Sequence, residues 1–303
     1  MNALLLMARA LHYLMSWGIA GSLGFLLFIA ASSNAPCRKI LLRPILRIAR
    51  SSTLGLLLSG VLWLWVEIAS MNDVSLREAL RMEFIGPVIS ETQFGHVWMI
   101  RGALLIALAG SLAIAGYPRW TLRACSAAWL LAITLLAMIS GVGHAAASSS
   151  RWLLYCDALH LTATAFWPGM LLPFLVFLWK LRQMPDYLSH LPGITRRFSR
   201  TSLLVVSVLG FSGTANACAL LAHISALWAT HYGMILLFKL ALFLAMLVFA
   251  AINLFYATPR TAAVQHPEDR LFILLWRNVA AEVTLGATVA LVVALLGITS
   301  PNP

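Results

Sequence analysis

Apolar residues in this chain neither alternate nor recur in stripes; they run. Eight apolar stretches stand out, approximately 4–31, 51–70, 94–116, 121–147, 153–181, 199–219, 231–256 and 271–298. A helix of about 20 apolar residues crosses a hydrocarbon core roughly 30 Å thick, so each stretch is long enough to span a bilayer. Several are longer, which predicts tilt or interfacial ends. The links between them are short and leave no room for a folded soluble domain. The pattern predicts an all-α polytopic bundle of about eight transmembrane helices, a single integral-membrane domain over residues 1–303 in contact with the lipid bilayer. The first stretch could be mistaken for a secretory leader, because Ser33-Asn34-Ala35 resembles a small-residue cleavage site. It is too long for such a leader's apolar region, and the basic segment after it resists export, so it reads as a retained first helix.

Composition agrees with the pattern. The chain is 61% hydrophobic and only 10% charged, against about 25% charged for a soluble domain. Its net charge of +11 invites a nucleic-acid partner, but the placement of the charges rejects one. Arg38, Lys39, Arg43, Arg47 and Arg50, then Arg119 and Arg123, then Lys180, Arg182, Arg196, Arg197 and Arg200, then Arg260, Arg270 and Arg277 fall in alternate links. The other links hold Arg77, Arg81 and Arg151 among Glu67, Asp73, Glu78, Glu83 and Glu91. The positive-inside rule makes the first set cytoplasmic, so both termini are expected on the outer side; Arg9 alone runs against this.

Ionisable groups inside spanning helices cost about 3 kcal/mol each on the insertion scale and therefore mark interior or functional positions. The predicted orientation places His12, His96, His144, His160, His223 and His231 toward the outer face. Met15 follows His12 by three residues and Met99 follows His96 by three, so each pair shares a helix face, as Cys156 and His160 do at i and i+4. Imidazole suits several transition metals, and thioether and thiolate favour monovalent copper; Met also fills gaps in ordinary cores. His12, His144 and His160 are the leading candidate ligands, with Met15, His96, Met99 and Cys156 as auxiliaries. Arg101 is expected to pair with Glu67 or Asp157. Lys239 and Glu282 are expected near mid-membrane as a polar pair, either an ion pair or a relay. Asn216, Asn253 and Asn278 read as interhelical hydrogen-bond partners. Lower outer pH should weaken metal binding, because the imidazoles must be neutral to bind.

Absent motifs narrow the reading. There is no Gly-rich nucleotide loop and no Cys-x-x-Cys-His haem attachment site. Haem b held by two histidines of neighbouring helices, in a redox protein, stays as the alternative. Cys37, Cys125, Cys156 and Cys218 form no zinc pattern, and a bridge between Cys156 and Cys218 is permitted without being deducible. Internal repeats are not evident. Gly141-x-Gly143-His144 and Gly210-x-x-Gly213 are candidates for close helix packing.

A set of short pieces, in order, resembles the copper-resistance protein D family of bacterial inner membranes. They are Arg9-x-x-His12, Gly95-x-x-Trp98-x-x-Arg101, Gly141-Val142-Gly143-His144-Ala145 and Asp157-x-x-His160-Leu161 with Trp167-x-Gly169. Phe211-Ser212-Gly213, Tyr232-Gly233 with Lys239, Asn253, Ala281-Glu282 with Leu285-Gly286, and Ser300-Pro301 continue the likeness through the second half. The resemblance implies a multi-pass inner-membrane protein, not an enzyme, working in copper resistance or uptake. It also implies a separate periplasmic copper carrier protein as partner. It carries over His12, His144 and His160 as copper-site residues, with Asp157 orienting His160. The expected activity is acceptance of copper ion (Cu+ or Cu2+) at the outer face and its movement inward.

Overall fold

The structure, a computed structural model, describes residues 1–30, 35–142, 151–221 and 223–300. Among them lie eight helices long and apolar enough to cross a membrane and no strand. They are α1 (Asn2–Ala30), α2 (Arg38–Met71), α3 (Gln93–Ile114), α4 (Thr121–Val142), α5 (Arg151–Gln183), α6 (Pro185–Leu220), α7 (His231–Ala263) and α8 (Arg270–Leu296). This is a multi-pass membrane protein. The even number of passes returns the chain to its starting face, and Arg9 of α1 donates to the carbonyl of Gly297 just past α8.

Three helices outrun the apolar stretches that announce them. α2 begins at Arg38, α6 at Pro185, and α7 continues to Ala263. Basic residues resemble a loop in sequence, yet a helix satisfies its own backbone wherever it emerges from lipid. Arg50 uses its position on such an overhang to donate to Leu112 O at the end of α3, at 2.9 Å. Local breaks fall where the sequence supplies them. α5 is interrupted at Trp167, ahead of Pro168, because proline has no N–H for the ladder. α7 widens into a π stretch over Asn253–Ala257.

α1 and α5 form the centre. In its most apolar window α1 is 78% buried and α5 61%, against 11% for α6 and 17% for α3 and α7. The outer helices turn Leu58, Ile106, Leu204 and Phe255 outward, where the lipid tails lie. Lipid is as apolar as leucine, so association relies on close packing and interhelical hydrogen bonds. The central crossing supplies the packing: a Cβ on Gly21 would stand 2.1 Å from the carbonyl carbon and oxygen of Gly169. Only glycine permits that approach. One continuous core draws on all eight helices, with Phe25, Trp63, Trp167, Phe177 and Phe272 fully enclosed.

Arg9, which runs against the charge bias, is not a loop charge. Its guanidinium is buried, bound to the Gly297 carbonyl and 4.7 Å from the centre of the Trp63 ring.

Candidate functional site

Two polar stations lie in the bundle, one on each central helix. The first is built on α1, which carries His12 into the space between α2 and α3. His12 Nδ1 lies 3.1 Å from Ser59 Oγ, and Nε2 meets the Arg101 guanidinium. A guanidinium can only donate, so Nε2 accepts and Nδ1 carries the proton. Ser59 can receive that proton's hydrogen bond because its own hydroxyl is directed at Leu56 O, 3.2 Å away. Both ring nitrogens are thereby committed. Trp63 meets the imidazole edge-on at 5.4 Å and Trp98 stacks on it at 5.9 Å. Arg101 also donates to Leu135 O and lies 5.1 Å from the Trp98 ring centre. It does not pair with Glu67, which instead accepts from Trp63 Nε1 at 3.1 Å, nor with Asp157.

The second station is built on α5. His160 Nδ1 lies 3.0 Å from Ser212 Oγ, whose hydroxyl is donated to Val208 O at 2.6 Å. By the same reasoning Nδ1 is the donor, and Nε2 carries a lone pair. No hydrogen bond engages that lone pair among the described residues. Cys156, one turn earlier on the same face, is a buried free thiol. Asp157 accepts from Asn216 Nδ2 at 3.1 Å, and Asn216 Oδ1 is buried without a partner. Lys239 of α7 lies within electrostatic reach of both His160 and Asp157. His160 is thus oriented by Ser212, not by Asp157: the hydroxyl faces Nδ1 across the α5–α6 contact, while Asp157 meets Asn216 one turn away.

Other expected site residues lie elsewhere. Met15 packs its sulfur over Gly55, filling the α1–α2 gap. His96 is exposed and bonds Ser90 O at 2.8 Å, and Met99 is 59% exposed on the outer surface of α3. His144 lies outside the described residues. Among the described residues no three His, Cys, Asp or Glu side chains converge to hold a metal ion. His12 and His160 occupy different pockets. A haem held by both would need Nε2 of each, and Arg101 occupies one of them. Cys156 and Cys218 are both free thiols.

Lys239 and Glu282 do not meet. Glu282 accepts from Asn253 Nδ2 at 2.8 Å, and Asn253 Oδ1 accepts from Asn278 Nδ2 at 2.9 Å. The Trp167 indole is buried next to that carboxylate without closing a hydrogen bond. Asn253 stands fourteen residues beyond Lys239 on α7, about 21 Å at 1.5 Å per residue. Counting depth from span ends fails here because α7 extends well past its apolar stretch. The asparagines do act as interhelical partners, as expected. The serines that orient both histidines were missed; a signal existed in the Ser-Gly pairs 59–60 and 212–213.

Outside the spans, hydrogen bonds set two carboxylates. The Ser75 hydroxyl and amide hold Glu78 below its usual range, and the amides of His266 and Gln265 do the same for Asp269 at the start of α8.

Comparison with known proteins matches residues 1–154 to the family model "Copper resistance protein D-like, N-terminal domain" and residues 192–296 to "Copper resistance protein D". The chain is 28% identical over 273 residues to the copper resistance protein D of Pseudomonas syringae pv. tomato, covering 86% of this chain and 84% of the relative. It is 25% identical to the inner membrane protein YebZ of Escherichia coli K12, over 92% of each. It is 30% identical over 215 residues to the copper transport protein CutJ of Bacillus subtilis strain 168. That match covers 68% of this chain but only 39% of CutJ's own length. No solved structure matches. Two family models in series, together spanning most of an eight-pass chain, leave one conclusion: the chain belongs to the copper resistance protein D family.

Proposed function

We propose that this protein handles copper in a bacterial inner membrane, accepting the ion at the periplasmic face and passing it inward in copper homeostasis. One observation carries the reading: the α5 station gathers unused electron-pair donors inside a membrane. These are His160 Nε2 and the Cys156 sulfur, one turn apart on one face of α5, with the hydrogen-bonded Asn216–Asp157 pair alongside and, among the described residues, not part of a three-ligand cluster. Such a set attracts a cation, and its thiol and imidazole favour monovalent copper over harder ions. Cargo copper binds between His160 Nε2 and the Cys156 sulfur, releasing the thiol proton. His144, seven residues before α5 in the sequence, is the candidate third donor by sequence position. The α1 station does not bind cargo, because Arg101 already holds its lone pair. Glu282, with Asn253 and Asn278, is the remaining polar stop on the way through. A periplasmic copper carrier protein delivers the ion, and the positive-inside bias sets the orientation.

The test is the copper content of cells expressing the wild-type chain or a Cys156→Ser/His160→Gln double variant, with membrane levels matched by immunoblot. Wild-type protein should change cellular copper and the double variant should match an empty vector. A double variant that changes copper as the wild type does contradicts the reading.

A further inference from the structure

The two stations are copies of one arrangement. In each, a histidine on the first of four helices sends Nδ1 to a serine on the second, and the next glycine faces the Cε1 and Nδ1 atoms of the ring: His12, Ser59 and Gly60; His160, Ser212 and Gly213. Three residues before the histidines, Arg9 and Asp157 touch the residues four after the serines, Trp63 and Asn216. The third helix of each set opens on a threonine that caps a glycine three residues on, Thr92 to Gly95 and Thr230 to Gly233. Each of those glycines presses against a carbonyl of the preceding short helix, Val88 and Ala226. Nine residues after each threonine comes a basic residue, Arg101 and Lys239, near its own set's histidine.

Nine residues after each histidine stands a glycine, and these two, Gly21 and Gly169, touch each other. Contact between equivalent positions is the signature of a two-fold axis. The units α1–α4 and α5–α8 therefore repeat one arrangement of contacts, with α1 and α5 meeting at its centre. Four passes return each unit to its starting face, so the axis runs along the membrane normal.

The two units differ in charge at matching positions. Arg101 is a planar fork that bonds His12 and the Leu135 carbonyl together, and it stays in place. Lys239 is a point charge on a flexible stem, makes no hydrogen bond among the described residues, and has Asp157 within reach. We propose that Lys239 is an exchangeable plug of the His160 station, standing where Arg101 stands in the first half and yielding toward Asp157 when copper enters. The proposal rests on the reading of copper as cargo. It explains why a cation site retains a lysine, and why, among the described residues, Nε2 of only one of the two equivalent histidines is held by a hydrogen bond.

The experiment titrates the purified full-length protein in detergent with monovalent copper against a competing chelator. Lys239→Arg should weaken binding by about 10–100-fold, the range seen when groups around metal ligands change, because a guanidinium can bond Nε2 and stay. Lys239→Met should bind as tightly as wild type or more tightly. Equal affinities for wild type and Lys239→Arg overturn the plug and leave the cargo reading standing. A folded Lys239→Met protein that binds more weakly also overturns the plug, and this arm holds even if Lys239→Arg does not fold. Wild-type protein that binds no copper removes the cargo reading and the plug together.

Discussion

Replacing Gly21 by alanine should separate the two central helices. The added Cβ would lie 2.1 Å from the carbonyl carbon and oxygen of Gly169 and 2.7 Å from its Cα, whereas non-bonded carbons rest about 3.5–4.0 Å apart. Relief needs more than roughly 1 Å of movement. The obstructing atoms are backbone, so no side chain can rotate aside. Overpacking of this kind costs about 1–3 kcal/mol and occasionally more; a rigid backbone obstacle at the most buried crossing belongs at the top of that range. Two internal controls calibrate the result. Gly102 has nothing within 4 Å of its would-be Cβ, so Gly102→Ala should lie within about 1 kcal/mol of wild type. Gly169→Ala should fall between, since its nearest neighbours are the Trp17 and Thr164 carbonyl oxygens at 3.2 and 3.3 Å. The assay is reversible unfolding of the purified proteins in mixed micelles with increasing denaturing detergent, followed by tryptophan fluorescence. A Gly21→Ala protein as stable as Gly102→Ala would refute the reasoning, because α1 and α5 could not then be in backbone contact.

Further outcomes follow from the polar contacts. Ser212→Ala removes the acceptor of the His160 Nδ1 proton and should loosen the imidazole, weakening copper binding by about 10–100-fold, with a stability loss of about 1 kcal/mol; chelator competition and unfolding read the two separately. Asn253→Ala strips the hydrogen bond from the buried Glu282 carboxyl and leaves Asn278 unpaired, so it should destabilise by about 1–3 kcal/mol, and the same unfolding assay checks it. Asp269 has its folded pKa depressed by the amides of His266 and Gln265. Its contribution to the turn before α8 is complete above the ordinary carboxylate range and is lost as pH falls through the depressed folded value. Protection factors of the Gln265 and His266 amides, which correct for the intrinsic slowing of exchange in acid, should fall as pH drops through the depressed value in wild type, and Asp269→Ala should show low protection at every pH.

The spans were legible because a bilayer asks for one simple thing, uninterrupted apolar length. Their ends were less legible: the basic residues from Arg38 to Arg50 look like a loop yet form helix, since lipid ends before the helix does. Arg101 illustrates a different limit. Its sequence neighbourhood suggests a carboxylate partner, but the group across the bundle is an imidazole accepting on Nε2, a pairing that no helical spacing reveals. The repeated arrangement was hidden because equivalent positions keep their geometry and change their chemistry: Arg9 answers to Asp157, Trp63 to Asn216, Arg101 to Lys239. What survives unchanged is small and positional, the Ser-Gly pairs and the Thr-x-x-Gly caps, which look unremarkable until the contacts around them are compared. Of the expected ligand histidines, the structure separates His12 from His160, so proximity to one face did not imply a shared ion.

Copper at His160, and not at His12, is the main claim to test. His12→Gln and His160→Gln each preserve a group able to bond the orienting serine, so both variants can be loaded with monovalent copper, desalted and assayed for metal per protein beside the wild type. The α5 station predicts that His12→Gln retains the wild-type copper content and His160→Gln loses it. Copper retained by His160→Gln and lost by a folded His12→Gln protein contradicts the account.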